Sequence, residues 1–237
     1  MNIVCIAAHQ DDIELHCLGT MLKYAKQGHQ ITHLVITTGD KGGQFDPSLS
    51  YSDVAQIRSE EASAMAEAFG ARYICLDRED EYLFLDKALL DEVIDVLREC
   101  RADIVFSTAP TDYCLDHNVT SDVAFQAMVM SAYKTIFTKS PALEKYPAFF
   151  YMEPLCGLGF TPTHFVDISD VFEEKCRLLR YHESQMQNME TSVGWDLVKY
   201  SRILGAFRGL QCGVAYAESF AISNSFPRIS ANNNILP

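Results

Sequence analysis

The sequence predicts an α/β fold of Rossmann-like type, a mostly parallel sheet with helices on both faces. Three observations predict it. The run IVCIAA at residues 3–8 is apolar without polar alternation, the pattern of a strand covered on both faces, as in a parallel sheet. Short apolar runs alternate with longer segments at helical spacing, which implies strands joined by crossover helices. Polar, chemically capable residues follow the expected strand ends: His9, the loop at 39–43, residues 77–80 and residues 112–117. Ligands of open α/β sheets bind outside the carboxyl ends of the strands, so these four loops are expected to converge on one edge.

A strand over 2–8 opens the chain. The helix expected over 14–27 carries Leu15, Leu18, Leu22 and Ala25 at helical spacing. A strand over 31–38 leads into a polar loop through Ser52 that contains Gly39, Gly42 and Gly43. The helix over 53–69 is stopped by Gly70. A strand over 72–76, a helix over 85–100 and a strand over 104–107 repeat the unit. After His117 come a helix over 118–137, strands over 148–152 and 164–168, and helices over 170–189 and 195–208. Residues 225–237 are polar and rich in Pro and Asn, which reads as an extended tail. No repeat, low-complexity stretch or linker divides the chain, so 1–237 reads as a single domain.

The 237 residues, 48% of them hydrophobic, suffice to bury a core without disulfide or metal staples. The net charge of -13 argues against nucleic acid or an anionic membrane as partner. No apolar segment approaches the roughly 20 residues of a membrane span, and the N-terminus lacks the basic start of a signal peptide. A cytoplasmic location is expected. Eight cysteines without a C-x-x-C pair read as reduced thiols packed as small hydrophobes.

Two clusters carry chemistry. His9, Asp11 and Asp12 stand in a tight turn after the first strand, and Asp112, Asp116 and His117 follow the fourth. A catalytic zinc takes three protein ligands and keeps its fourth position for water. His9 and Asp12, three residues apart, can share one ion, and His117 closes the site. Asp11 is then left to take a proton from water and pass it to a leaving amine. Asp116, beside His117, orients a ligand. Helix capping is the competing role for Asp11 or Asp12. Neither G-x-G-x-x-G nor G-x-x-x-x-G-K-[ST] is present, which excludes the nucleotide and phosphate cradles built on those loops. Fe(II) also suits two His and one Asp, but the α/β reading favours zinc.

AHQDDIELHCLGT at 8–20 and DYCLDH at 112–117 resemble the LmbE-like (PIG-L) family of zinc-dependent N-deacetylases. That family's motifs read A-H-P-D-D-x-E followed by G-T, and D-x-H-P-D-H. Weaker echoes follow in order: TTGDKGG, Arg58-Ser-Glu-Glu61, His182-x-Ser-Gln185 and RGLQCGVAYAESF. The resemblance implies the family fold, with His9, Asp12 and His117 as Zn2+ ligands and Asp11 as general base. It implies removal of an acetyl group from a small N-acetylated sugar, such as N-acetylglucosamine, or a related conjugate. A homo-oligomer, trimer or hexamer, is expected with it.

Arg58 is expected to face the pocket and bind substrate; the alternative is a surface pair with Glu61. Two departures stand out. Gln10 replaces a proline, loosening a rigid turn. Cys114 replaces a histidine that in relatives helps to stabilise the oxyanion, and a neutral thiol is a weak donor. Loss of such a donor typically costs roughly 100- to 1000-fold in rate. Cys114 and His182 are therefore candidates on the substrate side, with His16 near them. Amide hydrolysis of another conjugate, such as a thiol adduct, and a metal-binding, weakly catalytic role in sugar recognition are the alternatives.

Overall fold

The first strand, β1 (Asn2–Ala7), is buried on both faces. Ile3, Cys5 and Ala7 enter one core and Val4 and Ile6 the other. A computed structural model describes residues 1–223 and Ser225; the expected tail at 225–237 otherwise lies outside the described residues. After β1 come α1 (Asp12–His16), α2 (Leu18–Lys26), β2 (Gln30–Thr37), α3 (Tyr51–Ala68) and β3 (Arg72–Arg78). The chain continues with α4 (Lys87–Glu99), β4 (Ile104–Ser107), α5 (Leu115–Ser131) and β5 (Ala148–Met152). It closes with β6 (His164–Asp167), α6 (Phe172–Leu179), α7 (Glu183–Val193), α8 (Leu197–Cys212) and β7 (Ala217–Ile222).

The strands form one seven-stranded sheet in the order β3-β2-β1-β4-β5-β7-β6. The pairs from β3 through β5 are parallel, while β7 runs antiparallel between β5 and β6. One face is covered by α1, α2 and α6 through Leu15, Leu18, Met21, Phe172 and Leu179. The other is covered by α4 and α5 through Leu89, Val93, Leu97, Val123 and Met128. The chain leaves β1 toward β2 on one side, while β4 lies on the other. This reversal opens a crevice beyond the ends of β1 and β4, where open α/β sheets bind ligands.

Three expected helices differ, and one strand is additional. The helix over 14–27 is two helices broken at Cys17, whose φ of -141° is not helical. The cause is Glu218, whose carboxylate accepts from the backbone N–H groups of Gly19 and Thr20 at 2.8 and 2.7 Å and so starts α2 afresh. The helix over 170–189 is likewise interrupted, between Leu179 and Glu183. The strand β7 was not foreseen; its inward Glu218 breaks the apolar pattern and is neutralised by the buried Lys175 at 2.7 Å. The helix expected from residue 118 starts at Leu115 instead, so Asp116 and His117 lie on its first turn. Among the described residues, no helix is long and apolar enough to cross a membrane, and all eight cysteines are unpaired.

Candidate active site

The turn after β1 and the first turn of α5 bring His9, Asp12 and His117 to one point. His9 Nδ1 lies 3.1 Å from His117 Nε2. Asp12 places one oxygen 3.3 Å from His117 Nε2 and the other 3.7 Å from His9 Nδ1. Ligands at about 2.0–2.1 Å from a tetrahedral ion stand roughly 3.3–3.4 Å apart; the two imidazole nitrogens and Asp12 Oδ1 come near this spacing, while Asp12 Oδ2 is occupied by the His9 N–H at 2.9 Å. The far side of each ring is held as well. His9 Nε2 meets Asp80 Oδ1 at 2.9 Å and His117 Nδ1 meets Asp112 Oδ2 at 3.1 Å. With the outer nitrogens protonated toward these carboxylates, the inner ones turn lone pairs toward a common point. Metal-binding histidines are oriented in this way.

Two groupings bring three ligand atoms within metal-binding distance of one another: His9 with Cys114 and His117, and His9 with Asp80 and Asp116. In the latter the carboxylates are already engaged. Asp80 accepts from Lys41 N–H at 3.1 Å, and both oxygens of the fully buried Asp116 accept from Glu81 and Leu83 N–H at 2.7 and 3.1 Å. This pair supports His9 from behind, while the Asp12 side faces the cleft. Asp116 thus stands behind His9, 3.6 Å from its Nε2, and it is Asp112 that orients His117.

The electrostatics agree. Burial opposes a charge on His9, yet Asp116, Asp80 and Asp12 outweigh it and push the imidazole up to about 10. Burial likewise opposes charge on His117, but Asp12 and Asp112 drive it to about 12. Asp12 is held well below the usual carboxylate range, because the attraction of His117 and His9 exceeds the cost of burial. With no cation bound, these carboxylates hold a proton on each imidazole, and a divalent cation would take the place of those protons.

Asp11 takes the N-cap position of α1 without capping it. Its Oδ1 accepts from Arg58 Nη2 at 2.9 Å instead. Arg58 reaches inward from α3, is almost fully buried, and also donates to Gly39 O at 2.9 Å. Room for the guanidinium explains Gly39 and Gly42: a Cβ there would stand 2.5 and 2.6 Å from Arg58 Nη1, and Gly39 also has a φ of +65°. The alternative Arg58–Glu61 pair does not form, and Glu61 accepts from Ser184 at 2.8 and 2.6 Å. Gln10 does not leave the turn loose. Its amide donates to Thr37 O and Thr38 O at 3.1 and 2.9 Å, tying the turn to the end of β2.

His9, Asp11, Asp12, His16, Arg58, Asp80, Tyr113 and His117 line a cleft of about 270 Å³, with Gln185 on its far wall. His182 is not there. It is fully buried at the start of α7, its Nε2 3.6 Å from Glu14 Oε2; Gln185, one turn on, reaches the cleft instead. Cys114 precedes α5, with its thiol beside His9 and His117. His16 stands edge-on to Tyr200 with ring centroids 6.2 Å apart, and burial pulls it down to about 4, so it is neutral near pH 7. Asp80 and Tyr113 were the less legible members. Asp80 had only its place after β3 to mark it, and nothing in the sequence marks Tyr113, which is exposed edge-on to His117.

Residues 4–128 match the family described as PIG-L, GlcNAc-PI de-N-acetylase. A diacetylchitobiose deacetylase of Thermococcus kodakarensis is 30% identical over 228 residues, spanning 92% of this chain and 81% of that one. A 4-oxalmesaconate hydratase of Pseudomonas putida is 24% identical over 244 residues, 98% of this chain and 92% of that one. Among solved structures, the N,N'-diacetylchitobiose deacetylase of Pyrococcus horikoshii superposes with a TM-score of 0.83 at 24% identity. It covers 93% of this chain and 83% of its own.

Proposed function

The chain belongs to the PIG-L de-N-acetylase family, and from that premise we propose that it is a zinc-dependent hydrolase of N-acetylated amino sugars or their conjugates. The observation that carries the proposal is the convergence of His9 Nδ1, His117 Nε2 and Asp12 on one point, beside Asp11. A divalent cation held by these three residues would supply Lewis acidity toward the amide carbonyl and the attacking water. Arg58 fixes one oxygen of Asp11, and among the described residues Oδ2 has no protein partner. That oxygen accepts the proton of the attacking water and returns it to the leaving amine. Asp80 and Asp112 keep both imidazoles turned toward the reacting centre. Tyr113 and Gln185, on the cleft walls, are placed to contact sugar hydroxyls.

The family's homo-oligomeric assembly is part of the same proposal. Ile203, Phe207 and Leu210 give α8 an open apolar side, from 50% to 79% exposed, which self-association would cover. A second reading, addition of water across a carbon–carbon double bond, is supported by the hydratase relative and by Cys114. The thiol stands where the family's oxyanion donor is expected, and a weak donor there disfavours amide hydrolysis. The test is a screen of the zinc-loaded protein for acetate release from N-acetyl sugars, run beside hydration of unsaturated carboxylic acids. Acetate release supports the deacetylase reading. Hydration without acetate release replaces it.

A further inference from the structure

The thiol of Cys114 has no place in the mechanism above, yet it stands beside both histidines of the site. Its Sγ and one ring nitrogen each of His9 and His117 all lie within 4.8 Å of one another. The residue is 8% exposed, and among the described residues its thiol makes no hydrogen bond. Its backbone is pinned on both sides. The N–H donates to Asp112 Oδ1 at 3.1 Å, and the carbonyl accepts from Asn118 Nδ2 at 2.9 Å. Asp112 is the same carboxylate whose other oxygen orients His117, so one side chain positions both the imidazole and the thiol. Cys114 also stands at the N-terminus of the 17-residue α5, where the helix dipole favours an anion.

We propose that Cys114 joins His9 and His117 in holding the cation, and that it makes this site selective for a soft ion. The inference rests on the metal-binding reading of His9, Asp12 and His117. On coordination the S–H bond breaks, a sulfur–metal bond forms and the proton leaves to solvent; no electron is transferred. Two imidazoles and a carboxylate alone suit several divalent ions, whereas a thiolate favours zinc over magnesium or manganese. Held there, the sulfur would compete for the position that a catalytic zinc ordinarily keeps for water.

The test uses the full chain stripped of metal and titrated with Co(II), whose thiolate bond gives a strong near-ultraviolet charge-transfer band. The wild type is expected to show the band. Cys114→Ser is expected to bind Co(II) without it, and to bind zinc at least about tenfold more weakly, the lower end of the loss seen for even an outer partner of a metal site. Its affinity for Mn(II) should stay unchanged. The melting temperature of the stripped variant, equal to that of the stripped wild type, shows that the change is local. A band that persists in Cys114→Ser, or Co(II) binding without any band in the wild type, overturns the inference and leaves the three-ligand site intact. Failure of the wild type to bind Co(II) or zinc at all overturns both.

Discussion

His9 owes its usefulness to what stands behind it. A free imidazole would offer either nitrogen to a cation, but Asp80 on Nε2 commits Nδ1 to the cleft. Asp112 commits His117 Nε2 in the same way. Removing either support leaves the ligand in place but lets its ring turn. Asp80→Ala is therefore expected to weaken zinc binding by about 10- to 100-fold; competition with a chromophoric chelator measures it. An unchanged affinity would mean that Asp116, 3.6 Å from the same nitrogen, is support enough. Arg58 shows a comparable division of labour. It was expected to bind substrate, and the structure gives it a prior task, holding Asp11 and the Gly39 carbonyl.

At the scale of elements, Glu218 explains why the chain after the first motif reads G-T. Its carboxylate accepts from Gly19 N–H, Thr20 N–H, the Thr20 hydroxyl and Lys175, all at 2.7–2.8 Å. A side chain at residue 19 would stand 2.8 Å from Ile168 Cγ2, so α2 approaches that close only with glycine. Glu218→Ala would strand the buried charge of Lys175, at a cost of about 3–5 kcal/mol. For a chain of this size that lowers the melting temperature by roughly 6–20 °C, which calorimetry reads directly.

A milder case lies at the opposite end of the sheet. Burial disfavours the charge on Asp103, but the Asn2 N–H at 2.9 Å and Lys145 at 3.1 Å outweigh it, and its carboxyl is held below the ordinary range. With the folded value below the unfolded one, its contribution is present above the ordinary carboxylate range. It is lost as the pH falls through the lower folded value. Asp103→Asn should therefore melt below the wild type at pH 7, and the gap should narrow in acid.

At the scale of the whole molecule, function follows from strand order. Residues 9 and 117 meet because β1 and β4 are neighbours across the reversal in β3-β2-β1-β4-β5. That convergence was legible from apolar runs ending in polar clusters, and β4 and β5 were read to the residue. What was hidden depends on distant partners. The break at Cys17 and the strand β7 both hang on Glu218, some two hundred residues from the helix it caps. His182 and Arg58 looked alike in sequence, polar residues in family-like motifs, and only packing sends one behind the cleft and the other into it.

Asp11 decides the central claim, because it alone separates holding a cation from using one. The measurement is acetate release from an N-acetyl amino sugar by the zinc-loaded wild type and by Asp11→Asn, with zinc content determined on both. An asparagine still accepts from Arg58 but cannot take the proton of the attacking water. The account predicts equal zinc content, a fall in kcat of about 100- to 10,000-fold and a KM little changed. An Asp11→Asn variant that releases acetate at close to the wild-type rate would contradict it.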